Sequence, residues 1–207
     1  MEHILDIYEQ PYDPRRPVVC FDERPCQLLG DVLMPIPMKP GRAERQDYQY
    51  KRNGTAVVLM AVEPLAGYRM VKVTEQKTKQ DYAEYMKELA AQYPAADKII
   101  LVQDNLNTHT PSAFYEVFAA PEAFALAQRF EMAYTPKKAS WLNMAEIELS
   151  ALAKQCLDRR IAHRRILTKE VMAWVTKRNR LQTKITWHFT KSKAREKLNR
   201  AYESINN

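Results

Sequence analysis

Two kinds of apolar pattern alternate along the chain. Short runs at Pro17–Phe21, Thr55–Val62, Tyr68–Val73, Lys98–Val102 and Phe130–Tyr134 have the length and composition of strands. The second and third are joined by EPLAG, a turn signal, and predict an antiparallel hairpin. Lys98–Val102 is apolar without alternation, as in a strand covered on both faces. Elsewhere the apolar residues recur at helical spacing. Tyr82, Tyr85, Met86 and Leu89 predict a helix over Lys79–Tyr93, stopped by Pro94, and Ser112–Phe118 and Pro121–Arg129 read as two short helices. Leu142, Ala145, Leu149, Leu152 and Cys156 form the stripe of a longer amphipathic helix. Thr168 reads as the N-cap of a basic helix over Glu170–Arg180, TWHFT as an extended piece, and Thr190 as the cap of a last helix through Tyr202. The three prolines of PYDPRRP mark residues 1–16 as an entering linker, and Leu33–Arg45 reads as a loop.

Three strands, a helix, a strand, one or two short helices, a strand and then helices predict an α/β mixed sheet with helices on its faces. The order resembles a ribonuclease H-like fold, with a five-stranded sheet over residues 17–160 and a basic helical C-terminal extension over 161–207. That fold puts the first and fourth strands side by side at its centre. Asp22 and Asp104, 82 positions apart, would then be neighbours.

Composition adds direction. With 207 residues, 46% hydrophobic and 28% charged, the chain can bury a substantial core. The longest apolar stretch, Ala56–Val62, is far too short to span a bilayer, and MEHILDIYEQ lacks a signal-peptide layout, so a cytoplasmic, nucleoid-associated protein is expected. Cys20, Cys26 and Cys156 form no CxxC pair and no Cys/His ligand set. The net charge of +7 is uneven: from Trp141 onward 15 Lys/Arg face 6 Asp/Glu, whereas the remainder holds 17 and 19. A basic C-terminal third suits a polyanion partner, although a merely solvated basic face would look the same.

The acidic candidates stand just beyond these elements. VVCFDE carries Asp22 and Glu23, IILVQDN carries Asp104, and WLNMAEIE carries Glu146 and Glu148. Carboxylates brought together from separate elements repel unless a cation lies between them, so such a cluster points to divalent metal and phosphate-ester chemistry. Each acid also has a plainer reading, as a solvated turn residue or a glutamate flanking an amphipathic helix. Glu23 points to the opposite strand face from Asp22 and is the weaker candidate. Glu146 and Glu148 lie about 80° to either side of the apolar stripe, and periodicity does not separate them. His109, in the loop after Asp104, can orient a ligand or make a structural hydrogen bond.

FDE, LVQDNLNTH and YTPKKASWLNMAEIE resemble the three signatures of DDE transposases of the mariner-like superfamily, in the bacterial insertion-sequence branch. PGRAER at 40–45 and KRNGTA at 51–56 resemble further segments of that branch, so the likeness runs from about residue 11 to the C-terminus. It implies that Asp22, Asp104 and Glu146 are the catalytic and metal-binding acids, and so favours Glu146 over Glu148. It implies Mg²⁺ or Mn²⁺, two ions, with DNA cleavage and strand transfer as the reaction. DNA is the implied partner, in a paired-end complex of two copies. The likeness is to the catalytic domain alone, without the family's N-terminal helix-turn-helix region, as expected of a fragment, of a separate reading frame with that region encoded elsewhere, or of a truncated element. Arg159, Arg160, Arg164, Arg165, Lys177, Arg178 and Arg180 are the candidate backbone-binding residues, with Trp141 and Trp187 as stacking surfaces. A remnant that binds DNA nonspecifically without catalysis, and a nuclease acting on RNA–DNA hybrids, are the competing readings.

Overall fold

The computed structural model describes residues 1–137 and 139–199. Five strands form one sheet: β1 Val18–Asp31, β2 Tyr50–Glu63, β3 Tyr68–Thr74, β4 Ile99–Gln103 and β5 Phe130–Tyr134, in the order β3-β2-β1-β4-β5. β1, β2 and β3 run antiparallel, while β4 joins β1 and β5 joins β4 in parallel. The first and fourth strands are central neighbours, as the element order requires. The helices are α1 Glu2–Tyr8, α2 Lys79–Ala91, α3 Ser112–Val117, α4 Ala120–Arg129, α5 Met144–Gln155, α6 Arg164–Arg180 and α7 Lys191–Lys197. This is the ribonuclease H-like α/β arrangement.

Alternation along β1 divides the core. Phe21 faces α2, α3 and α4, in a cluster with Tyr82, Tyr85, Met86, Leu89, Phe114 and Phe130. Cys20 faces the other side, with Ile4, Leu5 and Ile7 of α1, Ala145 of α5 and Ala194 of α7. Further along that side, Met60 packs with Leu149 and Leu152 of α5 and Leu167, Val171 and Trp174 of α6. Among the described residues, no helix is long and apolar enough to cross a membrane.

Four local expectations change. Half of the segment read as a linker is helix, because Ile4, Leu5 and Ile7 lie on one face and are buried. β1 does not end at Asp22 but continues for nine more residues. Beyond Cys20 it has left β4 and is an edge strand, which tolerates Pro25. α6 begins at Arg164, four residues before the expected cap: Thr168 lies inside it, donating to the Arg164 carbonyl at 3.0 Å, and Leu167 already belongs to the buried face. Thr190 does cap α7, through Lys193 N, but the expected end at Tyr202 lies outside the described residues.

The KRNGTA segment has a structural role in β2. Pairing with β1 shifts register between Gln27 and Leu29, opposite Asn53 and Gly54. Gly54 adopts φ +103° there, a conformation that side chains rarely take. Asn53 donates to the Ala162 carbonyl at 3.0 Å and so ties this bulge to the chain entering α6.

Candidate active site

Asp22 sits just past the last residue that β1 pairs with β4, with Met60 of β2 as its cross-strand neighbour. It lines one groove with Glu23, Glu146, Ser150 and Lys154. Its carboxylate accepts from the Glu23 amide, 2.8 Å away. Burial raises its carboxyl pKa to about 7, against that amide, and the charges of Asp104, Glu23 and Glu146 add to the rise. Among the described residues, neither Asp22 nor Glu146 has a basic ion-pair partner.

Asp104 follows directly on β4. Its Oδ1 lies 2.5 Å from Nδ1 of His109, while Nε2 of His109 lies 2.7 Å from Oε2 of Glu23. Glu23 therefore uses the opposite face of β1, as alternation requires, yet reaches Asp104 through one imidazole. His109 is buried, with its ring stacked on Tyr82 and edge-on to Phe21. Burial opposes its charge, but the two carboxylates outweigh that and raise its pKa to about 9. Asp104 is held below the usual carboxylate range chiefly by His109. Glu23 is also held low: burial acts against this, and His109 and Lys77 overcome it. Nδ1 thus faces Asp104 and Nε2 faces Glu23, an arrangement in which both carboxylates favour the charged imidazolium. Gln103 and Tyr134 fix the loop by donating to the His109 carbonyl, each at 3.0 Å, and Tyr82 donates to Gln103 at 2.9 Å. The sequence marks Gln103 only as a polar residue closing an apolar run.

Glu146 lies in the first turn of α5, and the N-cap of that helix joins it to β1. Asn143 is fully buried; its Oδ1 accepts from Ala145 N at 3.1 Å, and its Nδ2 donates to the Phe21 carbonyl at 2.7 Å. The residue before Asp22 is thus bonded to the cap that presents Glu146. Asn three positions before Glu, at a helix start, is the signal that would have found it. Glu148, expected to be a surface glutamate if left over, is instead buried between Arg69 and Arg178. A helical offset of two residues turns it to the far side of α5 from Glu146.

The basic candidates divide. Arg159 pairs with Glu170, Arg164 with Glu75 and Arg178 with Glu148. Arg160 pairs with Asp31 and donates to the carbonyls of Asp47, Tyr48 and Gln49. Arg165, Lys177 and Arg180 are exposed. Lys177 lines a second groove with Arg159, Trp174 and Lys154, and Lys154 also lines the groove of Asp22 and Glu146. Lys154 was not singled out from the sequence. Trp141 is half exposed against Phe189, whereas Trp187 packs on Tyr8.

As the side chains stand, no three His, Cys, Asp or Glu residues among those described converge to hold a metal ion. The donor chemistry nevertheless fits a hard divalent cation. Asp22 and Glu146 offer only oxygen, and Asp22 is a desolvated carboxylate among like charges, whose ionised form a cation would stabilise.

The family model of the DDE superfamily endonucleases matches residues 17–168. Among solved structures, the chain is similar to the Mos1 transposase paired-end complex with left transposon end, at 15% identity and TM-score 0.58, covering 84% of this chain and 52% of that one. It is similar also to the Mos1 mariner paired-end complex with Mn (15% identity, TM-score 0.56, 88% and 56% covered) and to the Mos1 strand transfer complex (15%, 0.57, 88% and 54%). The chain thus spans about half the length of these solved chains. A search of the curated proteins finds no match.

Proposed function

Because this chain belongs to the DDE superfamily of endonucleases, we propose that it is the catalytic domain of a transposase, cleaving and rejoining DNA phosphodiesters with Asp22, Asp104 and Glu146 as its acids. The observation that carries this reading is the groove that Asp22 and Glu146 share, with Asp104 near enough to act on Asp22 electrostatically. Mg²⁺ or Mn²⁺ held by these three acids would stabilise charge on the attacking and leaving oxygens. A solved relative's description as a complex with Mn accords with that choice.

The protein's own groups have separable tasks. His109 holds Asp104 in one orientation and keeps it ionised, and Glu23 holds His109. Asn143 fixes the start of α5 against β1 and thereby aims Glu146. Lys154 and Lys177 lead away from the acids and would bind the phosphate backbone, which positions a duplex without reading its sequence. Water is the nucleophile for cleavage and a DNA 3′-hydroxyl for joining. Recognition of particular transposon ends would fall to a helix-turn-helix region, on the same polypeptide or separately encoded, and two copies would pair the ends.

Nicking of supercoiled plasmid by the purified chain, with Mg²⁺ or Mn²⁺ against EDTA, tests the reading. Metal-dependent nicking lost in Asp22→Asn, Asp104→Asn and Glu146→Gln supports it; full activity in all three variants sinks it. Salt-sensitive DNA binding with no nicking by the unaltered chain would favour the nonspecific-binding remnant instead.

A further inference from the structure

The centre of the Arg69–Glu148–Arg178 group is an almost fully buried carboxylate gripped from two elements. Arg69 of β3, itself fully buried, donates Nε to Glu148 Oε1 at 2.8 Å and Nη2 to Oε2 at 3.2 Å. Arg178 of α6 donates Nε to the same Oε1, and Nη2 to Oε2 at 3.0 Å. Each arginine is fixed in turn. Arg69 Nη1 donates to the Gly67 carbonyl at 2.7 Å, and Asn179 bonds both the N–H and the C=O of Arg69 at 2.8 Å. Arg178 lies over the Trp174 ring at 4.9 Å, and Trp174 Nε1 donates to Gln155, the last residue of α5, at 2.9 Å.

Stability alone gives little reason for such a triad. Desolvating three charges is costly, and apolar side chains of similar volume commonly serve as well or better. Directional bonds add orientation. The contacts of Leu149 and Leu152 hold α5 to the sheet but are non-directional. A rotation of about 15° about the helix axis would carry a side-chain tip, roughly 5–6 Å from that axis, by about 1.5 Å. Mg²⁺ demands near-ideal geometry and tolerates no such displacement. Two guanidinium forks on one carboxylate restrict rotation far more tightly than apolar contact.

We infer that Glu148, held by Arg69 and Arg178, is a positioning residue that sets the rotation of α5 and so aims Glu146 into the groove. This rests on the proposed metal centre. It also assigns the half-buried Arg178 to Glu148 instead of to the DNA surface.

The test compares the unaltered chain with Arg69→Met/Glu148→Leu/Arg178→Leu and with Arg178→Lys. The readouts are the melting temperature, Mn²⁺ affinity by calorimetry without DNA, duplex affinity in EDTA, and plasmid nicking. The apolar triple variant should melt no lower than the unaltered chain, yet bind Mn²⁺ about 10–100-fold more weakly, as for lost outer-shell partners. Its nicking should fall at least as far, with duplex affinity changed less than about threefold. Arg178→Lys keeps the charge but not the fork; it should weaken Mn²⁺ binding with duplex affinity intact, and it decides the matter if the triple variant fails to fold. Unaltered Mn²⁺ affinity in the folded variants overturns the inference, as does a loss confined to duplex affinity. Absence of Mn²⁺ binding by the unaltered chain would overturn the metal-centre reading itself, and with it this inference.

Discussion

Asp22 and His109 both sit among carboxylates, which disfavour the charged form of the first and favour that of the second, and their titrations should show it in metal-free protein. The folded pKa of Asp22, about 7, lies above its ordinary 3.8, so the native state loses stability as pH rises through that interval. Asp22→Asn should therefore stabilise the metal-free chain above pH 7. Each pKa unit is worth about 1.4 kcal/mol, and solvent screening at a partly exposed site leaves a gain of roughly 1–2 kcal/mol. The gain should vanish below about pH 3, where the wild-type carboxyl is protonated in both states, and urea denaturation in EDTA on either side of the interval measures it. His109 has a folded pKa of about 9 against 6.5, so its contribution is complete below pH 6.5 and lost as pH rises through 9. His109→Gln should lower the melting temperature at pH 6 and flatten its decline between pH 6.5 and 9. A decline as steep in the variant as in the wild type would contradict this account.

At the scale of elements, the site depends on how α5 begins. Asn143→Ala would remove the N-cap and leave the buried Phe21 carbonyl without that donor. These losses together should cost about 2–3 kcal/mol, seen as a fall of roughly 5–10 °C in melting temperature. Nicking should fall as well, because the cap presents Glu146. Strand and helix patterns made these elements legible: the apolar runs that predict β2 to β5 and the stripe of α5 all lie where periodicity puts them. The pairing of Asp22 with Glu146 in one groove was legible only through the family's signatures, since the helical wheel leaves Glu146 and Glu148 equivalent. The fate of Glu148 was not legible, because nothing local says that Arg69, 79 positions away, turns its side chain inward. The helix at residues 2–8 was hidden by the prolines that follow it.

Over the whole molecule, the positive charge of the C-terminal third divides into two populations. Arg159, Arg160, Arg164 and Arg178 are engaged by carboxylates, so the balance of charge overstates what faces a polyanion. Lys154 and Lys177 are exposed and flank the grooves. Replacing either with Gln should reduce the slope of log affinity against log salt by about 1 and weaken binding alike for all duplex sequences. Fluorescence anisotropy over a salt series reads both effects, and an unchanged slope in both variants would remove them from the DNA path. The parallel pairing of β1 with β4 has a consequence in time. β1 is the first strand, but its parallel neighbour β4 arrives some 80 residues later, and α5 later still. Contacts so distant in sequence form late, because the intervening loop must be closed before they return any stabilisation. During synthesis, therefore, Asp22 is made long before Asp104 and Glu146 can join it.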